Sequence, residues 1–186
     1  MMFITITGQL GSGKSTVCRI LNEKYDFSVF TTGIILRNLS KKQGMTALEF
    51  NEYITREKNN VDDLIDNETK RIAEEKLNEK VVFDSRMAWF FVPKSLKVYL
   101  KVDSYVAAVR VFKGGYRIGE EYETVTQAQQ ALLVRSSFER ERFLKLYNAD
   151  LIDMKNYDLI IDTTDISAEK VAEKIILALQ NQKISD

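Results

Sequence analysis

Residues 8–15 read Gly8-Gln9-Leu10-Gly11-Ser12-Gly13-Lys14-Ser15, and they follow the β-prone alternation Phe3-Ile4-Thr5-Ile6-Thr7. The spacing satisfies GxxxxGK[ST], with a strand before it and an amphipathic helix after it, on which Val17, Ile20 and Leu21 share one face. Each residue type has a physical task. The glycines let the backbone wrap tightly, so that successive N–H groups converge on one centre. The helix N-terminus adds its positive dipole end. A ligand rich in oxyanions fits such a cup, and a nucleoside triphosphate with Mg²⁺ is the expectation. The cup takes in Gly8, Gln9, Leu10, Gly11, Ser12, Gly13, Lys14, Ser15 and Thr16. Lys14 would neutralise the β- and γ-phosphates, and Ser15 would set its hydroxyl on the metal.

Strands and helices alternate outward from this loop. Short apolar strands are expected at Ser28–Phe30, at Val81-Val82-Phe83 ending on Asp84, at Val98–Leu100 with Val102, and at Leu159–Ile161. Helices are expected at 31–42, after the capping pair Thr46 and Glu49, at 60–78, at 104–113, and from the Thr124/Gln127 cap to about Tyr147. The clearest helix is 167–181, where Ala168, Val171, Ala172, Ile175, Ile176 and Leu179 follow the 3.6-residue period. Such alternation implies a mostly parallel sheet covered by helices on both faces. The fold class is therefore α/β: a P-loop NTPase three-layer sandwich with a five-stranded parallel sheet. The whole chain, 1–186, is read as one domain. Helices between 34 and 78 would form an acceptor-binding arm, and residues 110–145 a lid. Glycines at 114–123 beside Arg110, Lys113 and Arg117 suggest a hinged loop that closes on a ligand.

Composition narrows the chemistry. Histidine is absent, which removes histidine triads, histidine metal sites and histidine acid–base catalysis. Lys plus Arg balance Asp plus Glu at 27 each, so no nucleic-acid partner is expected and any anion site is local. The single cysteine, Cys18, allows no intrachain disulfide, and no signal-peptide pattern or membrane-length apolar run is visible. A cytoplasmic protein acting on a small molecule is the expectation.

Ligands of parallel sheets gather at the carboxyl ends of strands. Asp84 ends a strand, so it would hold a water on Mg²⁺ or orient a substrate group, and Arg86 shares its rim. Arg37 lies one turn beyond Gly33, as either a solvated charge or an anion ligand. Asp62, Asp63 and Asp66 open a charged helix; at least one is read as complementing its dipole, and Asp66 is assigned to the acceptor. Arg135, Glu139 and Arg142 are spaced i, i+4, i+7 on one helix face. They form either a surface ladder or guanidinium groups closing on phosphates. Cys18, Trp89, Phe90, Phe91, Tyr147 and Tyr157 read as packing.

At four stretches the chain resembles the short, single-domain cytidylate kinases among the P-loop nucleoside monophosphate kinases. These are ITGQLGSGKSTVCRIL (6–21), TTGIILRNLSKKQGMTALEF (31–50), VVFDSRMAWF (81–90) and RSSFERERFLKLYNADLIDMKNYDLIIDTT (135–164). The last is the most family-specific, and the resemblance runs from about residue 3 to 180. Ile34 stands where the family has an acidic residue, and Ser85 where it has glycine. The resemblance implies transfer of the γ-phosphoryl of ATP to CMP or dCMP with Mg²⁺. It assigns Arg37 and Arg86 to the acceptor phosphate and Arg135 and Arg142 to phosphates from the lid side. Lys14, Arg86 and Arg135 are then the catalytic cations, Ser15 and Asp84 the metal-side residues, and Arg110 and Arg117 lid residues. A kinase with another acceptor on the same scaffold, and a nucleotide-binding regulator without turnover, remain as alternatives.

Overall fold

The computed structural model describes residues 2–56, 61–114 and 122–185. Five strands, β1 (Met2–Gly8), β2 (Ser28–Thr31), β3 (Lys80–Asp84), β4 (Leu96–Lys101) and β5 (Leu159–Asp162), form one sheet of order β2-β3-β1-β4-β5. Every pairing is parallel, with Phe3 opposite Val81, Ile6 opposite Val98 and Leu100 opposite Ile161. The expected α/β architecture with a five-stranded parallel sheet is what the chain adopts. Its period-2 alternation decides which side each residue serves. Ile4 and Ile6 of β1 face a core shared with α1 (Lys14–Tyr25) and α8 (Ala168–Ser185), through Val17, Leu21, Val171 and Ile175. Phe3 faces the opposite layer with Val81, Phe83 and Ala88. Burial on both faces is why β3 reads as a continuous apolar run, whereas β1 buries Thr5 and Thr7 among its apolar residues.

The second layer holds α5 (Ala88–Phe91), α6 (Ser104–Lys113) and α7 (Val125–Tyr147). Between β2 and β3 run α2 (Thr32–Lys42), α3 (Ala47–Arg56) and α4 (Val61–Glu75), with α3 against α7 and α4 against α5. Several helix starts follow local chemistry. Thr46 Oγ1 accepts from Glu49 N–H at 3.1 Å, and Glu49 Oε2 accepts from Thr46 N–H at 2.8 Å, a reciprocal cap. Asp103 caps α6 through Tyr105 and Val106 N–H, and Thr124 caps α7 through Gln127 N–H. Asn148 takes a left-handed conformation (φ 52°) to end α7. The short α5 and a 3₁₀ turn at Met154–Asn156 lie where the sequence reading placed only loop. One turn of helix is too short to show a 3.6-residue period.

β1 leaves the sheet at Gly8 under a tight constraint. Gly8 has φ 139°, and a Cβ there would sit 2.2 Å from the Leu100 carbonyl oxygen. Only glycine lets β1 stay beside β4 while the chain turns into the loop. Gly8→Ala is therefore expected to lower the thermal unfolding midpoint by at least about 5 °C, read by circular dichroism.

Candidate active site at the carboxyl edge of the sheet

The loop 8–13 crosses the carboxyl ends of β1 and β4 and delivers Lys14 as the first residue of α1. Gly11 and Gly13 have φ 76° and 87°, which bend the backbone into a cup open at the helix N-terminus. The loop is fastened from below. Gln9 N–H donates to Leu100 O at 2.9 Å, and Gln9 Oε1 accepts from Val102 N–H at 2.7 Å. The Gln9 side chain thus serves the scaffold. Residues 10–16 line the open cleft, whereas Gly8 and Gln9 lie beneath it.

The cleft measures about 490 Å³ and extends from Thr163, Ile166 and Ser167 at one end to Thr32, Gly33 and Arg37 at the other. Asp84, Arg86, Arg110, Arg135 and Glu139 complete its polar wall. At its near end, Arg110 donates to Thr163 O at 2.7 Å and Thr164 O at 3.1 Å, which anchors α6 to the β5–α8 turn. Arg37 lies beside Gly33, with a guanidinium nitrogen 3.4 Å from where a Gly33 Cβ would be. Arg117 lies outside the described residues, as does most of the glycine-rich segment expected to hinge. The Ile34 side chain is likewise outside the description.

Lys14 and Arg86 meet at the floor of the cleft. Lys14 Nζ donates to Gln9 O at 2.7 Å and to Gly8 O at 3.1 Å, and Arg86 also donates to Gly8 O. Loss of hydration, and then the neighbouring Arg86 charge, push the Lys14 ammonium down to about 7, with Asp84 and Glu139 acting against them. Asp84 Oδ2 accepts from Ser15 Oγ at 2.9 Å. This carboxylate and hydroxyl beside a phosphate cup are hard oxygen donors. The set suits Mg²⁺, which takes one or two protein oxygens and fills its shell with phosphates and water. Among the described residues no cluster of three or more acidic, cysteine or histidine side chains is assembled, so a metal would be shared with a ligand. Ser12 Oγ is buried with no hydrogen-bond partner and lines the same cup.

The face carrying Arg135, Glu139 and Arg142 is buried, so the surface-ladder alternative falls away. Glu139 is the residue whose importance spacing alone did not reveal. Its Oε1 takes Arg135 Nε at 3.0 Å, and its Oε2 meets Arg86 at 2.5 Å. Burial alone would raise its carboxyl, but Arg86, Arg135 and Arg142 together hold it at about 2. The signal in the sequence was an acid flanked at i−4 and i+3 by arginines; the third arginine arrives only through the fold.

Arg142 and Asp66 do not line the cleft. Arg142 pairs with Asp62 at 3.2 Å and donates to Asn51 Oδ1 at 3.2 Å, linking α7 to α4 and α3. Tyr147 OH donates to Asp66 Oδ2 beside them. Burial raises the Asp66 carboxyl to about 6, with the Tyr147 hydrogen bond opposing and Asp62 reinforcing the rise. The acidic start of α4 therefore turns partly inward instead of only answering the helix dipole.

Comparison with known proteins agrees with this geometry. The model of the cytidylate kinase-like family matches residues 3–165. This chain belongs to that family. It is 36% identical over 184 residues to the cytidylate kinase of Archaeoglobus fulgidus, covering 98% of this chain and 97% of the other. The cytidylate kinase of Methanococcus vannielii is 32% identical over 185 residues, covering 96% and 100%. Among solved structures, the shikimate kinase of Acinetobacter baumannii bound to shikimate superposes with a TM-score of 0.56 at 18% identity, over 98% of this chain and 95% of the other. A protein from Eubacterium ventriosum superposes at 0.62 with 16% identity, over 97% and 99%. The chain thus shares its fold with solved shikimate kinases. Among the described residues, no helix is long and apolar enough to cross a membrane.

Two outcomes follow from the titrating groups. Were a triphosphate to bind in the cup, it would raise the Lys14 pKa; binding near pH 8 would then take up roughly one proton, and ATP affinity would fall as pH rises above about 7. Calorimetry in buffers of different ionisation enthalpy reads the uptake; equal heats in all buffers would refute it. Asp66 holds its proton to about pH 6 in the folded state and to about 3.8 when unfolded. Its contribution to stability is full below 3.8 and is lost as pH rises through 6. Between pH 4 and 7, denaturant unfolding should therefore show a downward stability slope in wild type that Asp66→Asn lessens.

Proposed function

We propose that this chain is an ATP- and Mg²⁺-dependent kinase of cytidine monophosphates, converting CMP or dCMP to the diphosphate. The observation that carries the reading is the row of cations along one cleft: Lys14 in the phosphate cup, then Arg86 and Arg135, with Arg37 at the far wall. The family match and the curated relatives named cytidylate kinase supply the acceptor class.

In this reading the triphosphate lies over residues 8–16, with its base toward Arg110 and the β5–α8 turn. Lys14 leaves the Gly8 and Gln9 carbonyls for the β- and γ-phosphates. Ser15 and Asp84 would hold Mg²⁺, which would supply neutralisation of phosphate charge. Arg37 and Arg86 orient the acceptor phosphate, and Arg135 closes on the transferring group. An acceptor phosphate oxygen forms the new bond to the γ-phosphorus as the bond to the β–γ bridging oxygen breaks, and ADP leaves with that electron pair. The attacking group is already an oxyanion, so the absence of histidine costs nothing. Positioning and positive charge supply the catalysis.

The chain acts as one domain, with α2–α4 as the acceptor arm and the segment 110–145 as the lid. Arg142 and Asp66, buried behind the cleft, would join the acceptor side by fixing α7 to that arm. The intact Lys14, Asp84 and arginines argue against a regulator without turnover. ADP release with ATP and a panel of nucleoside monophosphates tests the reading. Stimulation by CMP or dCMP supports it; stimulation only by another acceptor redirects it to a different substrate, and binding without turnover overturns it. Lys14→Ala is expected to lower kcat by at least about 10²-fold.

A further inference from the structure

We infer that Glu139 is a positioning residue that sets the Arg86 and Arg135 guanidinium groups on the cleft wall, acting through them without touching the substrate. The inference rests on the kinase reading above and extends it to how the site is prepared before its ligands arrive.

Three observations converge. First, one Glu139 oxygen accepts from Arg135 at 3.0 Å, the other stands 2.5 Å from Arg86 in an ion pair without a hydrogen bond, and the side chain is only 3% exposed. Second, the Arg86 guanidinium is bracketed: one nitrogen faces Glu139 and another donates to Gly8 O, the carbonyl that also accepts from Lys14. Its plane is fixed by that bracket at the root of the phosphate cup. Third, Arg86 and Glu139 line both the cleft and a second hollow of about 330 Å³, so the pair is a partition between two cavities.

Physical consequences follow from that placement. Without Glu139 the two arginines repel each other and Lys14, and each must be re-oriented when an anionic acceptor arrives. Holding charged donors in place beforehand is what lets them act on developing charge without reorganisation. A carboxylate spanning two guanidinium groups does this.

The test uses Glu139→Gln in the full chain. Expected is a rise in acceptor KM of about 10- to 100-fold, the loss of charge-assisted pairing, by the same factor for CMP and dCMP. The crystal structure of the ligand-free variant should show the Arg86 and Arg135 guanidinium groups displaced from their wild-type positions. Unchanged acceptor KM, or guanidinium groups that stay in place, would overturn the inference. Unequal factors for CMP and dCMP would also overturn it, because they would show Glu139 contacting the sugar. The guanidinium positions are read without substrate, so they still test the inference if wild type proves not to phosphorylate these acceptors; that second result would fail the kinase reading alone. Should the Gln variant not fold, Glu139→Asp carries the test. Its shorter arm cannot span both guanidinium groups, so the acceptor KM should rise and at least one group should move; two unmoved groups would overturn the inference.

Discussion

The geometry of the site begins where β1 runs out of room. At Gly8 the chain passes so close to Leu100 that no side chain fits, and the backbone adopts a positive φ that other residues avoid. From that point the loop can only rise over the carboxyl edge of the sheet and fall into α1. Gln9 fastens it to β4 through both its backbone and its side chain. The amides of the cup inherit their directions from this anchoring, and so does Lys14. A ligand meets a loop whose shape is already determined by the two central strands.

A site built this way concentrates positive charge in a small, poorly hydrated space, and the structure balances it locally. Lys14, Arg86 and Arg135 gather near one another, and two carboxylates, Asp84 and Glu139, stand among them. Backbone carbonyls of Gly8 and Gln9 take the remaining donors. The cations are thus held by weak internal acceptors that a phosphate can replace. Burying an ion pair contributes little net stability, because desolvation offsets attraction. The retention of such pairs here is better explained by what they prepare than by what they stabilise.

The sheet and the cup were readable from residue order, because their signals are local: alternation in Phe3–Thr7, the 3.6-residue period in 168–179, and the loop spacing itself. Helix starts at Thr46 and Thr124 were also local, since a cap is one side chain bonding a neighbouring amide. The burial of Glu139 was not readable. Its partner Arg86 is remote in sequence, and only the sheet order brings β3 opposite α7. The surroundings of Asp66, assigned to the acceptor from sequence, were not readable for the same reason: Tyr147 from α7 reaches it. The inward-facing Thr163 and Ile166 carried no motif and entered the site through the β5–α8 turn.

Fold and substrate separate along this boundary. Shikimate kinase shares the architecture at 18% identity, so the scaffold by itself does not name an acceptor. In the proposed reading, discrimination between acceptors would arise where the layers meet, among α2, α3, α4 and α7. There Arg142, Asp62 and Asn51 form a buried polar contact across three helices. A polar contact of that kind tolerates few replacements, because removing one partner strands the others without water. Helices α3 and α4 are therefore fixed to α7, the same helix that carries Arg135 and Glu139. In the proposed reading, acceptor choice and phosphate positioning would share that one element, and a change in either would be transmitted to the other through α7.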